Sequence, residues 1–477
     1  MSGTGATASG ARRPNVVLIN CDDLGSGDLG CYGSTANDTP AIDRLAAEGL
    51  RFDSFYMASP VCSPSRASLL TGCYPPRIGF GSFDGLPVLF PGQGIGLADT
   101  EVTIAGLLGA AGYRTQMIGK WHCGDQPEFL PNRHGFDHWF GLPYSNDMGR
   151  QLHPSPDPSQ QEAGIEEAEP FYFNPLPLMY DDDVVEQQPD QASLTERYVA
   201  EAVRFIRTSG DDPFFLYLAH LYVHVPLYVQ ERFARRSRNG AYGAAVAAID
   251  WVTDVLLHEL RALGIEHDTI VVFTSDNGSR GVDGGSNLPY RGAKTTTWEG
   301  GMRVPCIVRW PGRVAPGGVC DELATSMDLL PTLAGLCGAT VPDDRTIDGR
   351  DISALWSDPT TPTPHDAFFY YWMDELEAVR AGRWKLHFAK HGTRFTRLHD
   401  LVDDPGERVD VVADHPEVVA ELEAHAERAR ASLGDALQDR PGDDRRPAGR
   451  VDQPVTLTTY DPDHPYYLAE YDLTDRG

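Results

Sequence analysis

A cysteine followed four residues later by an arginine gives the first chemical signal in this chain. The stretch is Ser59-Pro60-Val61-Cys62-Ser63-Pro64-Ser65-Arg66-Ala67-Ser68-Leu69-Leu70-Thr71-Gly72. Pro64 comes early, Ala67, Leu69 and Leu70 favour helix, and Gly72 supplies a stop, so Cys62 is expected just before a helix. A thiol there meets helix-end N–H groups and the Arg66 cation, which suits a nucleophile handling an anion. An isolated cysteine of this kind is more often structural, so the reading depends on what else the chain brings near it.

Two acidic pairs are the next candidates: Asp22-Asp23 after the run Asn15 to Asn20, and Asp276-Asn277 after the run Thr269 to Ser275. Both runs are apolar and rich in β-branched residues, as strands covered on both faces are. Ligands collect at the carboxyl ends of strands in open α/β sheets, so the pairs could meet in space. Three carboxylates and an amide oxygen form a hard, oxygen-only donor set, suited to Ca²⁺ or Mg²⁺ and poorly suited to zinc. Lys120 and His122 stand two apart at the end of a third strand, 112–119, and can point into the same cleft.

The elements that must position these groups alternate. Thr39-Pro40 opens a helix ending near Gly49, with Thr39 as N-cap. Residues 51–59 read as extended, 101–111 as helix, 196–207 as helix, 214–218 as a buried strand and 241–263 as a long amphipathic helix. Such alternation predicts an α/β fold with a mostly parallel sheet. Residues 126–191 read as one long loop. A Pro/Thr-rich connection at 358–365 divides a domain of residues 15–360 from a smaller one, 361–477. In the smaller part 367–373, 377–381 and 384–388 read as short antiparallel strands, 416–437 as a charged helix, and the tail from Arg440 as a polar surface arm. Residues 1–14 read as a flexible N-terminus.

A net charge of −29, from 69 acidic against 40 basic residues, argues against general nucleic-acid or anionic-lipid binding. No apolar h-region precedes the first strand, and no run of about 18 apolar residues offers a membrane span. Eight cysteines in 477 residues do not make a disulfide scaffold. These features together predict a cytoplasmic protein with reduced thiols.

The Cys62-x-Pro64-x-Arg66 stretch with Leu69-Leu70-Thr71-Gly72 resembles the signature of the sulfatases, in which the cysteine is oxidised after translation to formylglycine. Gly112-Tyr113-Arg114-Thr115-Gln116-Met117-Ile118-Gly119-Lys120-Trp121-His122 resembles their second signature, except that Cys123 stands where the family commonly has leucine. The resemblance runs from about Asn15 to Leu437 and is closest to the arylsulfatase A and N-acetylgalactosamine-6-sulfatase type. It implies an alkaline-phosphatase-like fold and hydrolysis of an aryl or sugar sulfate after maturation by a formylglycine-generating enzyme. It also implies a Ca²⁺ site (Mg²⁺ being possible) made of Asp22, Asp23, Asp276, Asn277 and the modified Cys62.

The same resemblance assigns roles. Arg66 and His122 orient the hydrated formylglycine, Lys120, Lys294 and Arg66 neutralise the ester, and His224, with Lys294, protonates the departing alcohol. Ser145 contacts sulfate; His220 is a lesser candidate than His224, and His387 either reaches substrate or packs between aromatic-rich strands. Two other readings compete. Phosphonate monoester and phosphodiester hydrolases of the same superfamily share the modified cysteine and metal, and an unmodified Cys62 would leave a non-catalytic anion- or glycan-binding protein.

Overall fold

Strand Asn15–Cys21 is buried at every residue. An apolar run without alternation has no face to offer water, so both faces must be covered. In the computed structural model, which describes residues 13–152, 172–464 and 467–477, this strand lies inside a ten-stranded sheet. Its parallel centre runs, in spatial order, Thr269–Ser275, Asn15–Cys21, Phe214–Ala219, Arg114–Lys120 and His138–Leu142. All five carboxyl ends therefore open on the same edge. Cys306–Arg309 joins Thr269–Ser275 antiparallel and is followed outward by Leu50–Phe52 and Gly318–Cys320. Pro177–Tyr180 and Asp183–Gln187 complete the other margin as antiparallel strands.

Helices cover both faces. Cys62–Thr71, Ile104–Ala110 and Leu329–Cys337 pack together over one core, and Pro40–Ala47, Gln191–Ser209 and Gly240–Ala262 over the other. By length and composition Gly240–Ala262 could cross a membrane. Here Ala245, Ile249, Val252 and Leu256 of that helix fill the second core. A separate four-stranded antiparallel sheet, Phe368–Trp372, Glu375–Ala381, Trp384–Lys390 and Thr393–Asp400, carries helix Pro416–Leu433 on its face. This is the large mixed, mostly parallel sheet with a smaller antiparallel one that the sequence predicts.

Several local expectations need correction. Residues 126–191 are not one loop: strands His138–Leu142, Pro177–Tyr180 and Asp183–Gln187 lie within them, and 153–171 fall outside the described residues. Their short, turn-rich pieces carry too little periodicity to read, and pairing at the sheet margin orders them. Thr39 occupies the N-cap of Pro40–Ala47, but its Oγ1 accepts from Gly30 N at 2.9 Å and caps no helix N–H. Asp250 caps instead, its Oδ1 accepting from Ala41 N and Ile42 N at 2.9 Å each. Strand Thr393–Asp400 was not expected, being polar along most of its exposed length.

The tail from Arg440, expected as a polar surface arm, runs along the large part of the molecule. Gly449–Arg450 pairs with Ile95–Gly96 of the large part, and Arg446 forks onto Glu101 at 2.6 and 2.9 Å. Further on, Tyr471 is buried in the second core, with its Oη donating to Pro189 O at 2.7 Å.

Candidate active site

The register Cys21↔Ser275 puts the carboxyl ends of two adjacent parallel strands level. The next residues of each, Asp22-Asp23 and Asp276-Asn277, are thereby forced together across 253 residues of chain. Asp23 N donates to Asp276 Oδ1 at 3.1 Å and Asn277 Nδ2 donates to Asp23 Oδ1 at 2.7 Å. Carboxylate oxygens of Asp22, Asp23 and Asp276 lie within 4.8 Å of one another. Among the described residues, Asp22 Oδ1 and Asn277 Oδ1 are buried with no hydrogen-bond donor. Buried oxygens of that kind are costly unless a donor or cation meets them, so the donor set fits a hard dication.

Cys62 is the first residue of helix Cys62–Thr71, one position further in than expected, and all ten residues of the helix are buried. One turn on, Arg66 lies on the same face. Its Nε and Nη2 hold Asp276 Oδ2 at 2.9 and 2.7 Å, and Nη1 donates to Lys120 O at 2.8 Å. Cys62 Sγ lies within 4.8 Å of Asp22 and His224 ligand atoms. Burial pushes the Cys62 thiol up to about 11, more than Lys120 and Lys294 pull it down. As a thiol it is therefore a poor nucleophile at neutral pH.

The remaining cations come from neighbouring strands. Strand Arg114–Lys120 delivers Lys120 Nζ to Asp22 Oδ2 at 2.7 Å and to Ser145 Oγ at 3.2 Å. Burial pushes the Asp22 carboxyl up, but Lys120 and Arg66 outweigh it and hold the group well below the usual carboxylate range. His122 turns in through a left-handed backbone, φ 59°, and its Nε2 donates to Leu89 O at 3.0 Å while Nδ1 has no partner among the described residues. Asp23 and Thr295 are left-handed as well, φ 59° and 71°. Such backbone is costly for residues with side chains and recurs where a site dictates side-chain direction.

His224 follows strand Phe214–Ala219. Its Nδ1 lies 2.6 Å from Val225 O, so that nitrogen carries the proton and Nε2 faces Ser145 Oγ at 3.3 Å and Asp23 Oδ2 at 3.9 Å. Burial, Lys294 and Lys120 lower its pKa. Lys294 Nζ completes the ring, 2.9 Å from Asp23 Oδ2.

The loop bearing Lys294 is gripped by the small sheet. Lys385 Nζ donates to Thr297 O at 2.8 Å and pairs with Glu299 at 2.9 Å and Glu407 at 3.0 Å, all fully buried. His391 Nε2 donates to Thr295 O at 2.8 Å. His387 belongs to this bracket: its Nε2 meets Glu407 Oε1 at 2.8 Å and its ring lies against Trp298. It does not join the residues around Cys62. His220 is structural too, accepting from Tyr222 N at 3.0 Å. Cys123 packs among the apolar side chains of the first core.

Sequence reasoning missed Glu299, Lys385, Glu407 and Asp147. Glu299, Lys385 and Glu407 lie on separate stretches of the sequence, and no spacing linked them to Lys294. Asp147, two residues after Ser145, meets the tail, its Oδ2 accepting from Gly477 N at 3.1 Å.

The sulfatase family model matches residues 14–339, and the N-sulphoglucosamine sulphohydrolase C-terminal model matches 293–432. Arylsulfatase A of Homo sapiens is 40% identical over 450 residues, covering 86% of this chain and 87% of that protein. N-acetylgalactosamine-6-sulfatase of Rattus norvegicus is 40% identical over 431 residues, covering 87% and 79%. Among solved structures, the PsFucS1 sulfatase from Pseudoalteromonas sp. superposes with a TM-score of 0.76 at 27% identity, covering 88% of this chain and 91% of that one. Both the matched length and the shared identity lead to one conclusion: the chain belongs to the sulfatase family, and is a sulfuric ester hydrolase.

Proposed function

We propose that the chain hydrolyses an aryl or sugar sulfate monoester to alcohol and inorganic sulfate, using formylglycine made from Cys62 beside a bound Ca²⁺. The observation that carries this reading is the convergence of Asp22, Asp23, Asp276 and Asn277 with Lys120, Lys294 and Arg66 around one buried Cys62. Asp22, Asp23, Asp276 and the free Asn277 oxygen would hold the cation, which supplies positive charge against the ester oxygens and lowers the pKa of the attacking hydroxyl. A formylglycine at position 62, once hydrated, would supply one hydroxyl to attack sulfur and a second to release the sulfate.

The other steps fall to residues of the chain. Lys120 and Lys294 neutralise the non-bridging sulfate oxygens, the electrostatic contribution that usually dominates such catalysis. Ser145, bonded to Lys120 and facing His224, fixes one sulfate oxygen between them. Arg66 holds Asp276 and orients the residue one turn before it. His122 Nδ1, buried without a partner, is placed as a proton acceptor. His224 Nε2 points at the alcohol side; the anionic ester supplies the negative charge that favours its protonated form, offsetting burial and the lysines.

The test is the mass of the Cys62 peptide together with turnover of 4-nitrophenyl sulfate, with and without Ca²⁺. An aldehyde mass and metal-dependent turnover are expected. An intact thiol on protein co-expressed with the maturating enzyme, or faster turnover of an aryl phosphonate than of the sulfate, would refute the assignment.

A further inference from the structure

Lys294 reaches the site from a stretch with no helix or strand: residues 276–298 run from the end of strand Thr269–Ser275 to helix Glu299–Met302 without regular structure. An ammonium that must meet one ester oxygen cannot be left to a free loop, since a displacement of about 1 Å can cost about 10²-fold in rate. The small sheet holds this stretch near its far end, at Thr295 and Thr297. A second hold comes from inside the loop, from Asn287.

Asn287 is 6% exposed, and both ends of its amide are engaged. Oδ1 accepts from Ser279 N at 2.8 Å, while Nδ2 donates to Ser279 O at 2.8 Å and to Gly292 O at 3.2 Å. Ser279 O also accepts from Lys294 N at 3.0 Å. One side chain therefore ties the residue two after Asn277 to the residue two before Lys294. The slot it fills is cut from glycines: a Cβ at Gly25, two residues after Asp23, would stand 2.4 Å from Asn287 Oδ1, and one at Gly300 would stand 3.0 Å from Asn287 Cβ. Asp28 fixes the preceding residue. Its carboxyl group is buried, Oδ1 accepting from Ser286 N at 2.8 Å and Oδ2 from Gly25 N at 2.9 Å and Tyr242 Oη at 2.6 Å. Asn287 thus stands where the chain leaving Asp23, the chain leaving Asn277 and the chain entering Lys294 meet.

We propose that Asn287 is a positioning residue for sulfate hydrolysis: it sets how far Lys294 Nζ extends toward Asp23, and so the gap between that ammonium and the metal ligands in which the sulfate group is held. This role for Lys294 rests on the function proposed above; what holds the lysine rests on the contacts alone. An amide is the group this junction needs, because it offers an acceptor and two donors at once. Aspartate has the same shape but would turn an oxygen toward the carbonyls of Ser279 and Gly292, and alanine would remove the partner of Ser279 N and Gly292 O. With the tie gone, Lys294 leaves its place against Asp23, while Lys120, delivered by a strand, keeps its own.

Asn287→Ala, Lys294→Ala and the double variant, each matured and assayed with Ca²⁺ on 4-nitrophenyl sulfate, test this. Asn287→Ala is expected to lose about 10²-fold in kcat/KM. The double variant should stay within about twofold of Lys294→Ala alone, because a residue that acts through Lys294 has nothing left to position. Losses that multiply, or no loss in Asn287→Ala, overturn the proposal. Acetic anhydride labelling in Ca²⁺-containing buffer, read by peptide mass, locates the ammonium without any turnover. Lys294 should label several-fold faster in Asn287→Ala, with Lys120 and Lys385 unchanged; equal acceleration of all three, or of none, refutes the assignment. Asn287→Asp keeps the shape and serves the same comparisons should the alanine protein not fold. A parent protein without turnover would overturn the sulfatase reading, and the labelling result would then decide on Asn287.

Discussion

Lys385 and Glu299 form an ion pair at 2.9 Å with no exposed side-chain surface on either, although one sits on the small sheet and the other just beyond the Lys294 loop. Glu407 closes the bracket at 3.0 Å from the same ammonium and accepts from Glu299 N at 2.7 Å. The small sheet is in this way a clamp on the loop of Lys294, the lysine that meets Asp23. Replacing Lys385 by Met leaves two carboxylates buried with too few cations, which costs about 3–5 kcal/mol of stability. Turnover of Lys385→Met should fall even in molecules that stay folded, because Thr297 O loses its donor. Chemical denaturation and kcat measured on the same preparation check both.

Cys62→Ser separates the proposed chemistry from ordinary ester exchange. A serine hydroxyl can attack sulfur and expel the alcohol, but its sulfate ester has no second hydroxyl to break it down. A stoichiometric burst of 4-nitrophenol without turnover is expected, with sulfate retained on the peptide containing residue 62. Sustained turnover in Cys62→Ser would exclude the geminal-diol route.

Chelation is expected to abolish turnover and lower the melting temperature, since Asp22, Asp23 and Asp276 would be left to repel one another. Ca²⁺ or Mg²⁺ should restore both and Zn²⁺ should not, given oxygen-only donors. Asn277→Ala removes the amide oxygen that lacks a donor, and should raise the concentration of Ca²⁺ needed for half-maximal activity.

His224→Ala should discriminate by leaving group. A sugar alkoxide needs a proton as it departs, so sugar sulfate turnover should fall by about 10²–10⁴-fold. 4-Nitrophenolate leaves without one, and the loss on that ester should be much smaller. Equal losses on the two esters would deny His224 the role of acid.

Asp250, in helix Gly240–Ala262, gives a pH signature of its own. Burial pushes its carboxyl up to about 7, more than the Ile42 and Ala41 N–H groups pull it down, with Asp43 and Asp254 adding repulsion. A folded-state pKa above the unfolded value means the native state holds the extra proton, so this group's contribution is present at low pH and lost as pH rises through about 4 to 7. Asp250→Asn keeps the acceptor oxygen for both N–H groups. Its stability relative to the parent should rise between pH 5 and 8, read as a difference in melting temperature.

Much of this protein was legible in its sequence, because its strongest signals are local. Uninterrupted apolar runs such as Asn15 to Asn20 and Thr269 to Ser275 can only be strands with both faces covered. The residues closing them, Asp22-Asp23 and Asp276-Asn277, are adjacent to those strands in sequence, and level parallel pairing brings them together. The Cys62 to Arg66 spacing is one helical turn, so the pair shares a face wherever the helix sits.

What only the tertiary structure decided depends on partners distant in sequence. Thr39 has the right side chain and position to cap Pro40–Ala47, yet Asp250, more than 200 residues on, takes both N–H groups because the packed helix Gly240–Ala262 delivers it there. The polar, aperiodic tail gives no local sign that Tyr471 fits the core or that Gly477 meets His224. Lys385, Glu299 and Glu407 look like surface charges in sequence, since burial of a charge is affordable only when its partners are present and folding alone assembles them. Sequence determined the chemistry carried to the edge of the sheet; tertiary packing decided what holds that chemistry in register.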